Sequence, residues 1–294
     1  MKKLNIGLLL SGDLGFICLK EIASNNKVDF VLTDKNSTLI YDFCNLNNIS
    51  VFVGNPRNEK AVAFVKKNQP DLLLSINYLF IVEPALFSLA KLYAINFHGS
   101  LLPKYRGRTP HVWAIINNEK ETGVTAHMIS EGCDEGDIIL QHKIAITNEM
   151  TGSDVLFQFQ KIYPKMVQQI LSDIESNNIK TYVQDESKAT WFGKRTVESG
   201  LLNWDWQRER IYNWVRAQAR PYPGAFTYYN GIKITIHGIG YSDFGFKDDL
   251  PNGYILNTDK LPIIKTPNGA IKLIDWEAGS EIIFKQGEVF NERR

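Results

Sequence analysis

The chain has 294 residues, of which 44% are hydrophobic, 22% charged and 12% aromatic. These values are ordinary for a globular protein and exclude a disordered chain, a collagen-like repeat and a small disulfide scaffold. Two domains are expected at this length, since single cores stop growing at roughly 250–300 residues. The 33 basic and 32 acidic residues leave a net charge of +1. This balance argues against an obligate nucleic-acid binder, which usually carries a basic face.

The cysteines and the first residues of the chain predict a cytoplasmic protein. There are three cysteines and no C-x-x-C spacing, so a secreted disulfide framework is not expected. The apolar run Leu4–Leu10 is short and ends in Ser11-Gly12-Asp13, which favours a buried strand over a signal peptide. No segment approaches the ~20 apolar residues of a membrane span.

Strand and helix patterns alternate from the start of the chain to about residue 177. Strands are expected at 4–10, 28–33, 49–53, 72–76, 92–97, 123–129 and 138–146, and helices at 16–23, 39–45, 59–68, 84–90, 113–117 and 154–177. Such alternation predicts an α/β fold with a Rossmann-like parallel sheet and helices on both faces. The pair Gly12-x-x-Gly15 is only part of a dinucleotide-binding fingerprint, and a tight turn between strand and helix is the favoured interpretation.

The remainder of the chain has a different character. After a helix at 209–217, short strands are separated by turn sequences at Asn230-Gly231, Pro251-Asn252-Gly253 and Pro267-Asn268-Gly269. This spacing predicts a smaller β-rich domain resembling an OB-like barrel. We therefore expect a catalytic α/β domain at 1–185, a connector at 186–205 and the β-rich domain at 206–294.

The densest group of polar residues follows the strand expected at 92–97. Asn96 and His98 are two residues apart, so on a continuing strand both side chains emerge on one face. An amide and an imidazole that face one pocket can serve as an oxyanion donor and an acid/base. A hydrogen-bonded histidine at a capped strand end is the structural alternative.

A second polar segment, Ser130–Asp137, also follows an expected strand and contains four acidic residues and two glycines. Three interpretations are open. The segment could bind a divalent cation, Cys133 could act as a nucleophile, or Asp134 could accept a hydrogen bond from His98 and raise the pKa of the imidazole.

Together these segments resemble the folate-dependent formyltransferases, a family that includes methionyl-tRNA formyltransferase and the sugar N-formyltransferases. The resemblance rests on Asn96–Pro103, Tyr105–Gly107, Glu121–Thr125 and Asp134–Asp137, with Asp134 38 positions after Asn96. It continues through Lys194–Thr196 and Arg220–Phe226. The presence of Asn96, His98 and Asp134, which match the catalytic residues of the family, argues against an inactive folate sensor. The β-rich domain argues against two relatives, the formyltransferase that acts on glycinamide ribonucleotide and the hydrolase that releases formate from the same folate.

The resemblance implies a formyl transfer from N10-formyltetrahydrofolate to an amine, without a metal. Asn96, His98 and Asp134 would be catalytic, with the first two stabilising an oxyanion. The folate pocket would use residues from three parts of the chain: Phe80, Ile81, Val82, Arg108, Ser130, Glu131, Gly132, Cys133 and Asp134.

The amine is predicted to belong to a nucleotide-linked sugar rather than to an initiator tRNA. The loop Thr33–Leu39 holds one lysine and one aspartate, and residues 201–294 hold 12 basic against 11 acidic residues. Phosphate contacts supply most non-specific nucleic-acid affinity, so this balance is poor for tRNA. The resemblance implies a UDP- or dTDP-linked aminosugar used for lipopolysaccharide or related glycans, no nucleic-acid or membrane partner, and a homodimer as a further expectation.

Sugar-nucleotide contacts are expected from basic and aromatic side chains, because guanidinium groups bind phosphates in a bidentate manner. The expected residues are Lys104, Arg106, Arg216, Arg220 and Tyr222. For Arg216 and Arg220 a purely structural tether is an equal alternative. The aromatic group Trp204, Trp206, Tyr212 and Trp214 could stack on a ligand, although packing is the favoured interpretation.

Overall fold

A computed structural model describes residues 4–291 and divides the chain into two compact units. The first unit comprises Met1–Gly107, Thr122–Ile144 and Phe157–Phe192, and the second comprises Arg108–Glu121, Ala145–Leu156 and Gly193–Arg294.

Nine strands and six α-helices occur within the described residues 4–192. The strands are β1 (Ile6–Leu10), β2 (Val28–Thr33), β3 (Ser50–Val53), β4 (Leu72–Ile76), β5 (Tyr93–His98), β6 (Arg106–Gly107), β7 (Glu121–Met128), β8 (Ile138–Ala145) and β9 (Trp191–Phe192). The helices are α1 (Gly12–Asn25), α2 (Thr38–Leu46), α3 (Glu59–Asn68), α4 (Pro84–Phe87), α5 (Pro110–Ile116) and α6 (Gly152–Glu175). A 3₁₀ turn spans Glu186–Lys188.

Seven of these strands form one sheet in the order β3-β2-β1-β4-β5-β7-β8. Strands β1 to β5 are parallel, and every residue of β1 and β4 is buried, as the continuous apolar runs predict. The Rossmann-like sheet with flanking helices is confirmed. One detail differs from the expected parallel sheet: β7 runs antiparallel to β5, because after β6 and the short helix α5 the chain re-enters the sheet at the edge where β5 ends.

An apolar cluster holds α3 against the sheet. Leu9, Phe30 and Leu73 are buried on neighbouring strands, and Ala61 and Val65 of α3 pack against them. Burying a leucine or phenylalanine side chain stabilises a fold by about 1.5–3 kcal/mol. The sheet is therefore a rigid base for the loops at its edges.

The carboxyl ends of β4 and β5 lie side by side at one edge of this sheet. The two strands are parallel neighbours in which Ser75 is opposite Asn96 and Ile76 is opposite Phe97. Ligands of open α/β sheets bind outside the carboxyl ends of the strands. The loops that follow β4 and β5 consequently share the edge where a site is expected.

The second unit contains an antiparallel sheet and the helix α7 (Arg208–Ala217). Its strands are β10 (Ala225–Tyr229), β11 (Ile232–Ser242), β12 (Ile255–Asn257), β13 (Ile263–Thr266) and β14 (Gly269–Ala278), in the order β10-β11-β14-β13-β12. The predicted Asn230-Gly231 turn joins β10 to β11, and both of its residues have positive φ angles of 49° and 76°. This conformation suits a two-residue hairpin.

Residues 288–291 link the two edge strands of the antiparallel sheet. The backbone N–H of Tyr228 in β10 donates to Asn291, and that of Ile255 in β12 donates to Glu288. These bonds connect both edges through one segment and give the sheet a barrel-like closure, as expected. Trp204 packs inside this unit, where it stacks on Phe290 and donates its Nε1–H to Thr227 at 2.9 Å.

Candidate active site

Asn96 and His98 lie at the carboxyl end of β5, and both side chains meet Asp134. Asn96 Nδ2 donates a hydrogen bond to Asp134 Oδ1 over 3.3 Å, and His98 Nδ1 lies 3.5 Å from Asp134 Oδ2. Residues two apart on a strand point to the same face, which explains why one carboxylate reaches both side chains. The structure thus brings together the three residues to which the sequence analysis assigned catalysis.

The carboxylate of Asp134 is enclosed by hydrogen-bond donors and is only 11% exposed. The backbone N–H of Gly107 donates to Oδ2 over 2.9 Å, and the Cys133 thiol donates to the same oxygen over 3.5 Å. Burial by itself would raise the pKa of Asp134. The neighbouring imidazoles of His98 and His127 and the Gly107 hydrogen bond outweigh this effect and hold the pKa of Asp134 well below its usual range. Asp134 is therefore an anion at neutral pH.

The turn that carries Asp134 has an unusual backbone. Asp134 itself has a φ of 58°, in the left-handed region, which aspartate tolerates better than most residues do. A Cβ at Gly136 would lie 1.8 Å from the carbonyl oxygen of Met128, so only glycine allows this close approach. The glycine and aspartate of this acidic turn serve to aim the carboxylate.

Both ring nitrogens of His98 face acceptor atoms. Nε2 lies 2.8 Å from the carbonyl oxygen of Tyr105, which can only accept, so Nε2 carries a proton. Nδ1 faces the anionic Asp134. When Nδ1 also carries a proton, the resulting imidazolium has an acceptor at each nitrogen. His98 can therefore take up a proton at Nδ1, and Asp134 is placed to pair with it.

His127 is part of the same cluster and was missed by the sequence analysis. It is opposite Asn96 in the β5–β7 pair, and Asn96 Nδ2 donates to His127 Nε2 over 3.1 Å. Because Nε2 accepts that bond, Nδ1 carries the proton and donates to the carbonyl of Met128 over 2.8 Å. The only signal in the sequence was a histidine among the mostly apolar residues of the strand expected at 123–129. The antiparallel register that places His127 opposite Asn96 was not expected.

The loop after β5 is held by hydroxyl groups. Thr125 Oγ1 donates to the carbonyl of Ser100 over 2.6 Å and accepts the backbone N–H of Leu102 over 3.1 Å. Ser100 Oγ donates to the carbonyl of Lys104 over 2.7 Å. These bonds fix the course of the loop as it approaches His98.

Arg106, an expected substrate contact, is instead fully buried. Its Nε and Nη2 donate to Gln184 Oε1 over 3.3 and 2.8 Å, and its Nη1 and Nη2 donate to Glu186 over 2.9 and 2.6 Å. Its guanidinium carbon lies 5.1 Å from the ring centre of Trp191. This guanidinium is bonded to an amide and a carboxylate of the protein, which argues against the predicted contact of Arg106 with substrate. Lys104, two residues earlier, has an exposed side chain.

The residues expected to contact folate occupy the loops at the carboxyl edge and the acidic turn. Phe80 packs edge-on against Tyr78 just after β4, and Ile81 is 52% exposed, whereas the Val82 side chain belongs to the apolar cluster. Ser130, Glu131, Gly132 and Cys133 precede Asp134 in the turn, with Glu131 and Cys133 exposed. Arg108 is exposed and belongs to the second unit.

In the second unit, the remaining expected substrate residues have protein partners. Arg216 is buried and bonds to Asn213 Oδ1 and to the carbonyls of Thr147 and Met150, which favours the tether alternative. Arg220 is half-exposed and forms ion pairs with two carboxylates of β14, Asp275 and Glu277.

Tyr222 and His111 form a pair within the same unit. Tyr222 Oη lies 2.8 Å from His111 Nε2. Burial raises the pKa of Tyr222 to about 12 and lowers the pKa of His111 to about 4. Both side chains are therefore neutral at pH 7, and the pair contributes hydrogen bonds rather than charge.

Two further findings concern residues 4–291. No helix in that range is long and apolar enough to cross a membrane. Within the same residues, no three histidine, cysteine, aspartate or glutamate side chains are arranged to hold a metal ion.

Comparison with known families finds two matches that together cover most of the chain. Residues 20–171 match the family model described as "Formyl transferase", and residues 194–294 match "Formyl transferase, C-terminal domain". The first match alone spans more than half of the chain.

Similar folds occur among solved structures. WlaRD, a sugar 3N-formyl transferase in the presence of dTDP and 5-N-formyl-THF, has a TM-score of 0.70 and 20% identity, with 96% of this chain and 100% of that chain covered. An N-formyltransferase from Helicobacter canadensis, in complex with folinic acid and dTDP-3-aminofucose, has a TM-score of 0.68 and 23% identity, with 93% of this chain and 99% of that chain covered. The methionyl-tRNA formyltransferase of Clostridium thermocellum has a TM-score of 0.59 and 19% identity, with 81% of this chain and 94% of that chain covered. At these identities the likeness concerns the fold.

Proposed function

The chain belongs to the formyl transferase family, and on that premise we propose that it transfers a formyl group from N10-formyltetrahydrofolate to the amino group of a nucleotide-linked sugar. The cluster of Asn96, His98 and Asp134 carries this proposal, because it combines an amide donor, an imidazole and an anion at the carboxyl edge of the sheet. Those are the groups that acyl transfer to an amine requires.

Each residue of the cluster has a separate task in the proposed reaction. Attack of an amine on the formyl carbon places negative charge on the formyl oxygen. Asn96 Nδ2 carries two hydrogens, one bonded to His127 over 3.1 Å and the other to Asp134 over 3.3 Å. In the reaction the second hydrogen turns from Asp134 to the formyl oxygen and stabilises its charge. Loss of such a donor typically costs ~100–1,000-fold in turnover. His98 Nδ1, the ring nitrogen that faces Asp134, accepts the proton that the amine loses, and Asp134 pairs with the imidazolium so formed. The imidazolium returns this proton to N10 as the bond between N10 and the formyl carbon breaks and tetrahydrofolate leaves.

A folate fits the side chains available at the carboxyl edge. Leu79 and Ile81 are exposed apolar residues next to the half-buried ring of Phe80. A flat, partly apolar ring system gains free energy by covering such groups. Phe80, Ile81 and the turn Ser130–Asp134 would hold the formyl donor.

The amine is proposed to belong to a dTDP- or UDP-linked sugar, with Lys104, Arg220 and Tyr222 as candidate contacts. The near-neutral residues 201–294, with 12 basic and 11 acidic side chains, support a small substrate over a tRNA. Two similar structures, one in the presence of dTDP and one in complex with dTDP-3-aminofucose, support the same choice. By family resemblance the product would serve lipopolysaccharide or related glycans, made in the cytoplasm.

The test offers the purified protein N10-formyltetrahydrofolate with dTDP-3-aminofucose, a UDP-linked aminosugar, or charged initiator tRNA. We expect one of the sugar nucleotides to gain the mass of a formyl group, with tetrahydrofolate released, and the tRNA to remain unmodified. Formylation of the tRNA alone would replace this proposal with the methionyl-tRNA activity.

Two histidine variants show whether the product comes from this site. His98→Ala should abolish transfer while 5-formyltetrahydrofolate binding remains measurable by calorimetry. His142→Ala is the matched control, because His142 lies on β8 with an exposed side chain. Equal turnover in the two variants would remove His98 from the proposed mechanism.

A further inference from the structure

The stretch Tyr105–Gly107 supports both His98 and Asp134. The carbonyl of Tyr105 accepts from His98 Nε2 over 2.8 Å, and the N–H of Gly107 donates to Asp134 Oδ2 over 2.9 Å. The side chain of Arg106, between them, points away from both groups and into a buried cluster. Whatever holds Arg106 therefore also holds the backbone groups on either side of it.

Gln184 is the central member of that buried cluster and is 5% exposed. Its Oε1 accepts from Arg106 Nε and Nη2 over 3.3 and 2.8 Å. Its Nε2 donates to the carbonyl oxygens of Asp134 and Gly136 over 2.8 and 2.7 Å. All four hydrogen-bonding positions of the amide are used, and the partners allow one orientation only, because arginine donates and carbonyls accept.

The segment that follows Gln184 also contacts the stretch Tyr105–Gly107. Thr190 accepts the N–H of Tyr105 at its hydroxyl oxygen and the N–H of Arg106 at its carbonyl, each over 2.8 Å. The ring of Phe192 stacks on Tyr105 with centres 4.8 Å apart. Residues 184–192 thus bind the loop that supports His98 and, through Gln184, the turn that carries Asp134.

We propose that Gln184 is a positioning residue for the proposed formyl transfer: by joining Arg106 to the backbone of Asp134 and Gly136, it holds Asp134 in register with His98. The inference rests on the proposed function for its kinetic consequence but not for its structural one. Asp134 has a left-handed backbone, a conformation that persists when surrounding bonds enforce it. Two carbonyl bonds from one buried amide provide that enforcement.

The test compares Gln184→Glu with a matched glutamine elsewhere. A glutamate keeps the acceptor for Arg106 but places an oxygen against the two carbonyls. Gln218 is the control, since it is also buried, also accepts from an arginine (Arg195, 3.1 Å) and also donates to a backbone carbonyl (Trp214, 3.0 Å). Gln184→Met, which removes the bonds without adding charge, replaces Gln184→Glu if that variant does not fold.

The kinetic outcome separates positioning from general stabilisation. We expect Gln184→Glu to lower kcat about 10–100-fold, as misplaced catalytic groups do, with KM values for folate and amine within about threefold of the parent. Gln218→Glu should lower thermal stability while kcat stays within about threefold of the parent. Equal kcat in the two variants would overturn the proposal.

A second readout does not depend on the reaction. In ¹⁵N-histidine NMR spectra, Gln184→Glu should move the ring resonances of His98 and His127, whereas Gln218→Glu should leave them in place. If the parent protein formylates no amine, the proposed function fails, and this spectrum still decides whether Gln184 positions Asp134. Unmoved resonances in Gln184→Glu would refute that role.

Discussion

Asn96 and His127 face each other across two antiparallel strands, with Asn96 Nδ2 3.1 Å from His127 Nε2. The bond orients the amide that is proposed to stabilise the reacting oxygen, and it ties that amide to a histidine which is itself anchored to the backbone of Met128. An amide that is held in place before the reaction needs no reorganisation during it, which is the source of oxyanion stabilisation.

Replacement of His127 by leucine tests this orientation. The variant leaves one hydrogen of the Asn96 amide without its acceptor, so only the bond to Asp134 orients the amide, and kcat should fall about 10–100-fold. The KM values should change little. The measurement is steady-state formyl transfer beside the His142→Ala control, and a kcat for His127→Leu equal to that of the control would contradict the prediction.

Replacement of Asp134 by asparagine removes the anion without a change of shape. Asparagine also tolerates a left-handed φ, so the turn is expected to fold. Turnover should fall about 100–10,000-fold, the range of acid–base contributions, because the imidazolium loses its partner. Near-parental turnover would show that the carboxylate charge has no part in the reaction.

The same pair of proteins yields a pH prediction for stability. The pKa of Asp134 is lowered by folding, so its charge stabilises the native state above the pKa of an unfolded aspartate, about 3.9. That contribution is lost as the pH falls from this value towards the lowered native pKa. The difference in free energy of unfolding between the parent and Asp134→Asn should therefore be larger at pH 7 than at pH 3. Urea denaturation at both pH values measures it, and a pH-independent difference would be inconsistent with a lowered pKa.

Arg216 is predicted to act as a structural tether. Arg216→Met would leave the carbonyls of Thr147 and Met150 and the amide oxygen of Asn213 without their donor. Buried groups left unpaired cost about 1–3 kcal/mol each, so the free energy of unfolding should fall by about 2–4 kcal/mol. Urea denaturation followed by tryptophan fluorescence suits this test, since five of the six tryptophans belong to the second unit.

The matched control for Arg216 is Arg220→Met. Arg220 is half-exposed, and its ion pairs with Asp275 and Glu277 lie at the surface. Such pairs contribute about 0–1 kcal/mol. A loss at Arg216 no larger than the loss at Arg220 would argue against the tether. A raised KM for the sugar nucleotide in Arg220→Met would support its proposed contact with substrate.

Ile81→Asp tests the proposed folate contact. A charge on this exposed side chain beside Phe80 should weaken binding of 5-formyltetrahydrofolate by at least about tenfold, because a buried charge without a partner is costly. Calorimetry measures the affinity directly. Leu46→Asp is the control: Leu46 is exposed at the end of α2, a helix that starts after β2 and so leads away from the carboxyl edge. Equal affinities in the two variants would place the folate elsewhere.

The sequence by itself determined much of the fold and the centre of the site. Buried parallel strands read as continuous apolar runs, and a two-residue period placed Asn96 and His98 on one face. The Asn230-Gly231 turn predicted its hairpin because few other residues adopt positive φ angles. These are local properties, set by backbone geometry and neighbouring side chains.

Only the tertiary structure decided which polar side chains serve the site. His127 reaches Asn96 across 31 residues of sequence, and Gln184 reaches Arg106 across 78. Arg106, expected to bind substrate, is enclosed by groups that come from a stretch the sequence marked only as polar and as the start of a connector. No local pattern encodes such pairs, because their partners are set by strand register and by the need to satisfy buried donors and acceptors.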